Sequence, residues 1–228
     1  MSEVTPGIEV EPDPNRYVPS RRYAHLEYLL FESEQRVVEL QQENSWLAHD
    51  QLTGVHVDKI IRNELEAWVE RAKDTGDKFT LIIGDVDNMK YANTTYGHHA
   101  GGDALLAAVG RSCRQGDLIG RAGGDEIWWI ASLEQREQYL SDIPLREVDP
   151  SSESLASRIA EIFEQRADSE ISKLNLGHEV GFSAGYAVYN PGDASGDMIW
   201  RASESMHQRK ERNKELRGSI NRHPSGPR

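Results

Sequence analysis

Two short acidic clusters carry the residues best suited to chemistry: Gly84-Asp85-Val86-Asp87 and Arg121-Ala122-Gly123-Gly124-Asp125-Glu126. Carboxylates brought together at the ends of strands make a pocket for a hard cation, which takes oxygen ligands. Two elements have to place them. Phe79-Thr80-Leu81-Ile82-Ile83 is a short apolar run of strand formers that ends in Gly-Asp-Val-Asp. Asp117-Leu118-Ile119 and Ile127-Trp128-Trp129-Ile130 flank Gly123-Gly124. A Gly-Gly pair between apolar runs is a hairpin signal, because both central residues of a two-residue turn can then take positive φ. Taken alone, Gly-Gly-Asp-Glu is also the composition of an ordinary polar turn.

The rest of the chain reads as a scaffold. Ile61, Leu65, Trp68 and Ala72 step by four, three and four, which predicts an amphipathic helix ending before Gly76. A polar helix is expected through Lys90 to Tyr96, and another from about Asp103. Ile127 to Ile130 is apolar on both faces and should be a central strand. Residues 134–153 read as a surface loop. Leu155, Ile159, Ile162 and Phe163 mark a helix, Val180, Phe182 and Ala184 alternate as a strand, and Ile199, Ala202 and Met206 open a last helix. Strands and helices in this order predict an α+β domain, a sheet containing antiparallel pairs covered by helices.

Outside that domain, residues 1–20 hold Pro6, Pro12, Pro14 and Pro19 and read as a disordered tail. In residues 21–49, Tyr23, Leu30, Val37 and Asn44 recur every seven residues, and Leu26, Ser33, Leu40 and Leu47 do the same three places on. That heptad predicts a parallel coiled-coil helix with Asn44 setting register; the alternative is an amphipathic helix packed on its own domain. The basic stretch 214–228, with Gly218, Pro224, Gly226 and Pro227, reads as a flexible tail.

Composition narrows the class of partner. The 228 residues carry a net charge of −12, which argues against binding a nucleic-acid backbone through Lys and Arg. One cysteine, Cys113, excludes an internal disulfide and reads as a core thiol. No apolar run reaches membrane-spanning length, so the expectation is a soluble cytoplasmic protein with no membrane partner.

Together the motifs carry a resemblance. From about Asp50 to Asn213 the chain resembles the GGDEF domain of diguanylate cyclases. In the family's order stand Asp50-Gln51-Leu52-Thr53-Gly54, Gly84-Asp85-Val86-Asp87, Lys90 with Asn93, Gly97-His98, Gly102-Asp103 with Leu106, and Arg121 through Glu126. Ser183-Ala184-Gly185-Tyr186-Ala187 and Ala202 through Lys210 complete the set. The resemblance implies a palm-like domain over residues 50–213 with a central, mostly antiparallel sheet. It implies an enzyme that condenses two GTP into cyclic di-GMP with release of two pyrophosphates, working as a homodimer because one domain holds one GTP.

The same resemblance assigns the site. Asp85, the Val86 carbonyl and Asp125 are expected to hold Mg²⁺ (or Mn²⁺), with Glu126 beside them as a further ligand or proton acceptor. Gly123 and Gly124 let the backbone approach the α-phosphate, Lys90 and Lys210 contact the triphosphate, and Asn93 and Asp103 read guanine. Arg114-Gln115-Gly116-Asp117 matches the family's Arg-x-x-Asp product-inhibition motif, with Arg114 and Asp117 holding cyclic di-GMP.

The chain departs from the pattern in places. Gly97-His98-His99-Ala100-Gly101-Gly102-Asp103 is one residue longer than the family's Gly-His-x-x-Gly-Asp. Either the loop absorbs a glycine and Asp103 keeps its role, or Gly102 takes that place and the contact is lost; Asp103 also suits a helix N-cap. A structural hydrogen bond is expected for His98 rather than a metal. Ile127 replaces Phe, Val57-Asp58 replaces Asn-Arg, and Ser203 and His207 replace Asp and Tyr. A degenerate module that binds GTP or cyclic di-GMP as a sensor is therefore the alternative function, and a palm-type cyclase with another base preference is a remoter one.

Overall fold

The computed structural model describes residues 21–114, 116–134 and 152–220. The chain divides into two units, one through Ser45 and one from Trp46 onward. The first holds most of helix α1 (Arg21–Ala48), a single helix of 28 residues. Along α1, Tyr23, Leu26, Leu30, Val37 and Leu40 are all exposed among the described residues. The expected tail of residues 1–20 lies outside the described residues.

The second unit is built on a five-stranded sheet in the order β1-β3-β4-β2-β5. The strands are β1 (His56–Val57), β2 (Phe79–Asp87), β3 (Leu118–Gly123), β4 (Glu126–Ser132) and β5 (Gly181–Val188). β1 runs parallel to β3, and every other neighbouring pair is antiparallel. β4 is the central strand, as its apolar faces demand. Alternation divides the sheet's side chains between two cores. Ile82, Val86, Trp129 and Phe182 face one way, toward α4 (Ala104–Ser112) and α5 (Ser152–Ser172). Leu81, Ile83, Trp128 and Ile130 face the other, toward α2 (Asp58–Thr75) and α6 (Ser195–Ile220). Each such buried side chain contributes about 1.5–3 kcal/mol.

The helix α2 ends where expected: Gly76 takes a left-handed φ of 75° and its N–H bonds to the Ala72 carbonyl at 2.9 Å. Other boundaries differ from the sequence reading. β2 continues through Asp87 because β5 pairs with it to the end, Asp85 opposite Ser183 and Asp87 opposite Gly181. α6 runs to Ile220, so Lys214 and Arg217 lie on a helix and not in a frayed tail; residues 221–228 are not described. α5 already begins at Ser152, and residues 135–151 of the expected loop are likewise outside the described set.

Candidate active site

The hairpin turn is shifted by one residue from the Gly-Gly pair. Gly123 pairs with Glu126 as the last residue of β3, so the two turn residues are Gly124 and Asp125, and of these only Gly124 has positive φ, at 40°. Ala122 forms a bulge in the register between Arg121 and Gly123. A bulge bends its strand and re-aims the side chains beyond it. Here it turns the tip, and with it Asp125, relative to the strand.

Arg121 fixes that tip. Its guanidinium donates to the Gly124 carbonyl at 2.9 and 2.6 Å and to the Asp50 carboxylate at 3.2 and 3.3 Å. Asp50 is itself prepared by its own turn, accepting from the Thr53 amide at 2.9 Å and the Thr53 hydroxyl at 2.7 Å. Partial burial works to raise the Asp50 pKa, but the Thr53 bonds and Arg121 outweigh it and hold it below its ordinary value. Asp50-Gln51-Leu52-Thr53-Gly54 is thus a folded brace for the hairpin. Arg121→Ala is expected to cost about 1–2 kcal/mol and to loosen the turn, read as faster amide exchange at Gly124 to Glu126. Unchanged exchange there would remove the bracing role.

Across the sheet, Asp85 stands opposite Glu126 in the β2–β4 ladder. Burial raises the Asp85 pKa, Lys210 opposes that shift, and the nearby charges of Asp125 and Asp87 add to it. The Lys210 ammonium pairs with Asp85 Oδ1 and lies 3.4 Å from the Val86 carbonyl. A side-chain cation therefore rests between the carboxylate and the carbonyl that the family resemblance assigns to metal. Among the described residues no three His, Cys, Asp or Glu side chains converge on one point. The set fits Mg²⁺ nonetheless, since that ion takes one or two protein carboxylates and leaves its remaining positions to phosphate and water.

Two cavities open around these groups. One, of about 490 Å³, is walled by Met89, Lys90, Asn93, Thr94, His98 and Asp125. The other, of about 260 Å³, is lined by Asp87, Asn88, His207, Lys210, Lys214 and Arg217, with Glu211. Asp85, Val86, Lys90, Asn93, Asp125, Glu126 and Lys210 are thus brought to one end of the sheet. Gly123 and Gly124 leave the tip open, with nothing within 4 Å of where a Cβ would stand.

Asp103 is placed differently. It does not cap α4; it lies with helical φ and ψ in a π-helical turn, His99–Asp103, that joins α3 (Met89–His98) to α4. Its side chain makes no capping bond and meets His99 Nδ1 at 3.0 Å. The hydrogen bond foreseen for His98 therefore belongs to His99, and His98 lines the larger cavity. Asp103 is not among that cavity's walls.

Arg114 and Asp117 stand apart, at the C-terminal side of α4. Arg111, Arg114, Arg158 and Arg166 line a cleft of about 610 Å³ between α4 and α5. Burial raises the Asp117 pKa against the pull of Arg166 and Arg114. Asp117 Oδ2 is buried without a hydrogen-bond partner among the described residues. Cys113, also on this wall, is a packing thiol whose pKa burial pushes to about 12.

Sequence reading missed the polar network behind Asp87. Asp87 is buried, accepts from Ser183 Oγ at 2.7 and 2.9 Å, and pairs with Arg217. Asn213 bonds Ser183 at 3.1 Å and buried Glu164 at 2.9 Å, and Arg209 holds Glu164 at 3.0 Å. Arg217 also reaches Asp168 at 3.5 Å, yet burial outweighs that attraction and raises the Asp168 pKa to about 6. An acid with a raised folded-state pKa contributes stability below its ordinary value of 3.8 and loses it as pH climbs through about 6. Asp168→Asn is accordingly expected to raise the melting temperature at pH 7.5 and to match wild type near pH 3.5. A lower melting temperature at pH 7.5 would show that the Arg217 pair outweighs the burial.

A mostly antiparallel sheet with acidic residues at one end, a Gly-Gly-Asp-Glu hairpin and lysines from two helices defines a palm-like domain with carboxylates and ammonium groups gathered at that end. Residues 47–216 match the family described as diguanylate cyclase, GGDEF domain. The chain belongs to the GGDEF diguanylate cyclase family. The bifunctional diguanylate cyclase/cyclic di-GMP phosphodiesterase MucR of Pseudomonas aeruginosa is 30% identical over 171 residues, 72% of this chain and 22% of that protein. The probable diguanylate cyclase DgcJ of Escherichia coli is 28% identical over 165 residues, 71% of this chain and 29% of that one. The chain therefore spans less than a third of the length of these relatives. Among solved structures, the coiled coil and GGDEF domain of DgcB from Caulobacter crescentus, in complex with c-di-GMP, aligns with a TM-score of 0.64 at 23% identity, over 84% of this chain and 95% of that one. That likeness is one of fold. No helix among the described residues is long and apolar enough to cross a membrane.

Proposed function

We propose that the domain is an active diguanylate cyclase: the 3′-hydroxyl of each of two GTP molecules attacks the α-phosphate of the other, and two pyrophosphates leave. The observation that carries this reading is the Lys210 ammonium seated on Asp85 and the Val86 carbonyl, beside the cavity shared by Asp125, Lys90 and Asn93. Asp85, the Val86 carbonyl and Asp125 would hold Mg²⁺ or Mn²⁺, which supplies charge neutralisation at the phosphates and acidifies a bound hydroxyl. Lys90, from α3, and Lys210, from α6, would take the triphosphate. Glu126, opposite Asp85, accepts the proton of the attacking hydroxyl. Gly123 and Gly124 admit the α-phosphate to the backbone at the tip. Asn93, and Asp103 after turning from His99, read the guanine edge.

Two domains must face each other for this reaction, because each contributes one nucleotide. The exposed stripe on α1 supplies the contact in a homodimer, pairing Tyr23, Leu26, Leu30, Val37 and Leu40 with their copies. A helical tether raises the effective concentration of the second half-site. Pyrophosphate release from GTP, measured across a protein dilution series, tests the reading. The rate per domain is expected to fall on dilution, more steeply once residues 1–47 are removed. A chain that releases no pyrophosphate at any concentration contradicts it.

The Arg114 cleft is proposed as the product-inhibition site. Arginine forks suit the phosphates of cyclic di-GMP, and Asp117 would accept from guanine N–H donors as the Arg-x-x-Asp pattern implies. Arg114→Ala is expected to keep progress curves linear where wild type slows, with the initial rate unchanged. Equal curvature in both would remove the inhibitory role.

The alternative reading is a module that binds GTP or cyclic di-GMP without synthesis. The position of Asp103, paired with His99 and off the cavity wall, is what favours it.

A further inference from the structure

The extra residue between Gly97 and Asp103 does not form a loop. It is taken up by the π-helical turn His99–Asp103, which winds straight into α4. A π turn carries more residues than an α turn, so it can take up an insertion, and such turns gather at functional sites; the helical path is broken just before it, at Gly97 with φ 82° and ψ 161°.

Both glycines of that turn press on α3. A Cβ on Gly101 would stand 2.5 Å from the Ala92 carbonyl oxygen, and one on Gly102 would stand 2.4 Å from Asn93 Oδ1. Neither has a positive φ, so proximity and not backbone conformation requires them. Gly102 also donates its N–H to Asn93 Oδ1 at 2.9 Å. A carboxamide has one acceptor oxygen and two N–H donors. With the oxygen bound to a backbone N–H, the flip of Asn93 is fixed, and Nδ2 is the end left for a ligand. Asn93 walls the 490 Å³ cavity together with Lys90 and Asp125.

We infer that Gly102 is a positioning residue that holds the Asn93 carboxamide in one orientation, so that its Nδ2 donors select a purine with an acceptor at position 6. Guanine carries a carbonyl there; adenine carries an amino donor that would meet Asn93 donor to donor. The inference rests on the reading of this cavity as a guanine-nucleotide site. It makes Gly102 a determinant of base choice through the side chain it orients.

The test is equilibrium binding of 3′-deoxy-GTP and 3′-deoxy-ATP, which lack the attacking hydroxyl and cannot turn over. Gly102→Ala should fold, since alanine adopts its φ and the new methyl meets only the end of a side chain. Its affinity for 3′-deoxy-GTP is expected to fall about tenfold, or ~1.4 kcal/mol, with affinity for 3′-deoxy-ATP unchanged. Asn93→Ala should lose as much, and the double variant no more than Asn93→Ala alone. If Gly102→Ala weakens binding equally in the Asn93→Ala background, the glycine acts through the turn and the inference is overturned. Wild-type affinity in Gly102→Ala overturns it while leaving the guanine site standing. A wild-type protein that binds neither nucleotide overturns the guanine reading and the inference together.

Discussion

Asp125→Asn is expected to abolish cyclic di-GMP synthesis while leaving the domain folded. Asp125 is a half-exposed turn residue whose neighbour Gly124 carries the unusual backbone angle, and the Arg121 clamp holds the Gly124 carbonyl and not the Asp125 side chain. Asn suits a tight turn as well as Asp. Loss of its charge also relieves the repulsion that helps raise the Asp85 pKa, so thermal stability should not fall. The rate should drop by about 100-fold or more, the scale seen when one preorganised electrostatic group is lost from an active site. A variant that folds and turns over within a few-fold of wild type would show that the hairpin tip is only a turn.

The second large effect is one of stability. Gly185, in the middle of β5, is where α6 crosses the sheet: a Cβ there would stand 2.0 Å from the Met206 amide nitrogen and 2.4 Å from the Ser205 carbonyl carbon. Backbone cannot retreat as a side chain can. Gly185→Ala must lift α6 from the sheet, uncovering Met198, Ala202 and Met206, which are buried beneath it. It should also break the bond from the Tyr186 amide to Ser205 Oγ, 3.2 Å long. The expected cost is about 3 kcal/mol or more, read as a lower denaturant midpoint or as insoluble protein. Lys210 rides on the same helix, so whatever fraction folds should also lose the Lys210–Asp85 pair. Gly196→Ala, at an open position in the first turn of α6, is the control and should be neutral or slightly stabilising. A wild-type midpoint for Gly185→Ala would mean that the helix is held more loosely than its contacts require.

Much of the scaffold was legible because burial writes a period into the sequence. Ile61, Leu65 and Ala72 are buried along α2, Leu155, Ile159 and Phe163 along α5, and the doubly apolar Ile127–Ile130 lies in the central strand. Motif order led to the carboxylates gathered at the end of the sheet, because the strand-end and hairpin carboxylates must meet if the two elements pair. What stayed hidden was set by contacts distant in sequence. Nothing local marks Arg121 as the clamp on Gly124, or Asn213 and Glu164 as supports for Ser183 and Asp87. The stripe His207, Lys210, Lys214 and Arg217 has helical spacing, but Gly218 and the later prolines suggested a frayed end, whereas α6 continues to Ile220. The one-residue insertion was visible as a length difference. Its resolution as a π turn, with Asp103 turned to His99, depends on how closely Gly101 and Gly102 can approach α3.

The most direct test of the proposed activity is to incubate the purified protein with GTP and Mg²⁺ and identify the products by mass. Cyclic di-GMP with two pyrophosphates per molecule is the expected result, with no cyclic product from ATP under the same conditions. Bound GTP recovered unchanged at every protein concentration would contradict the cyclase and leave a nucleotide-binding module in its place.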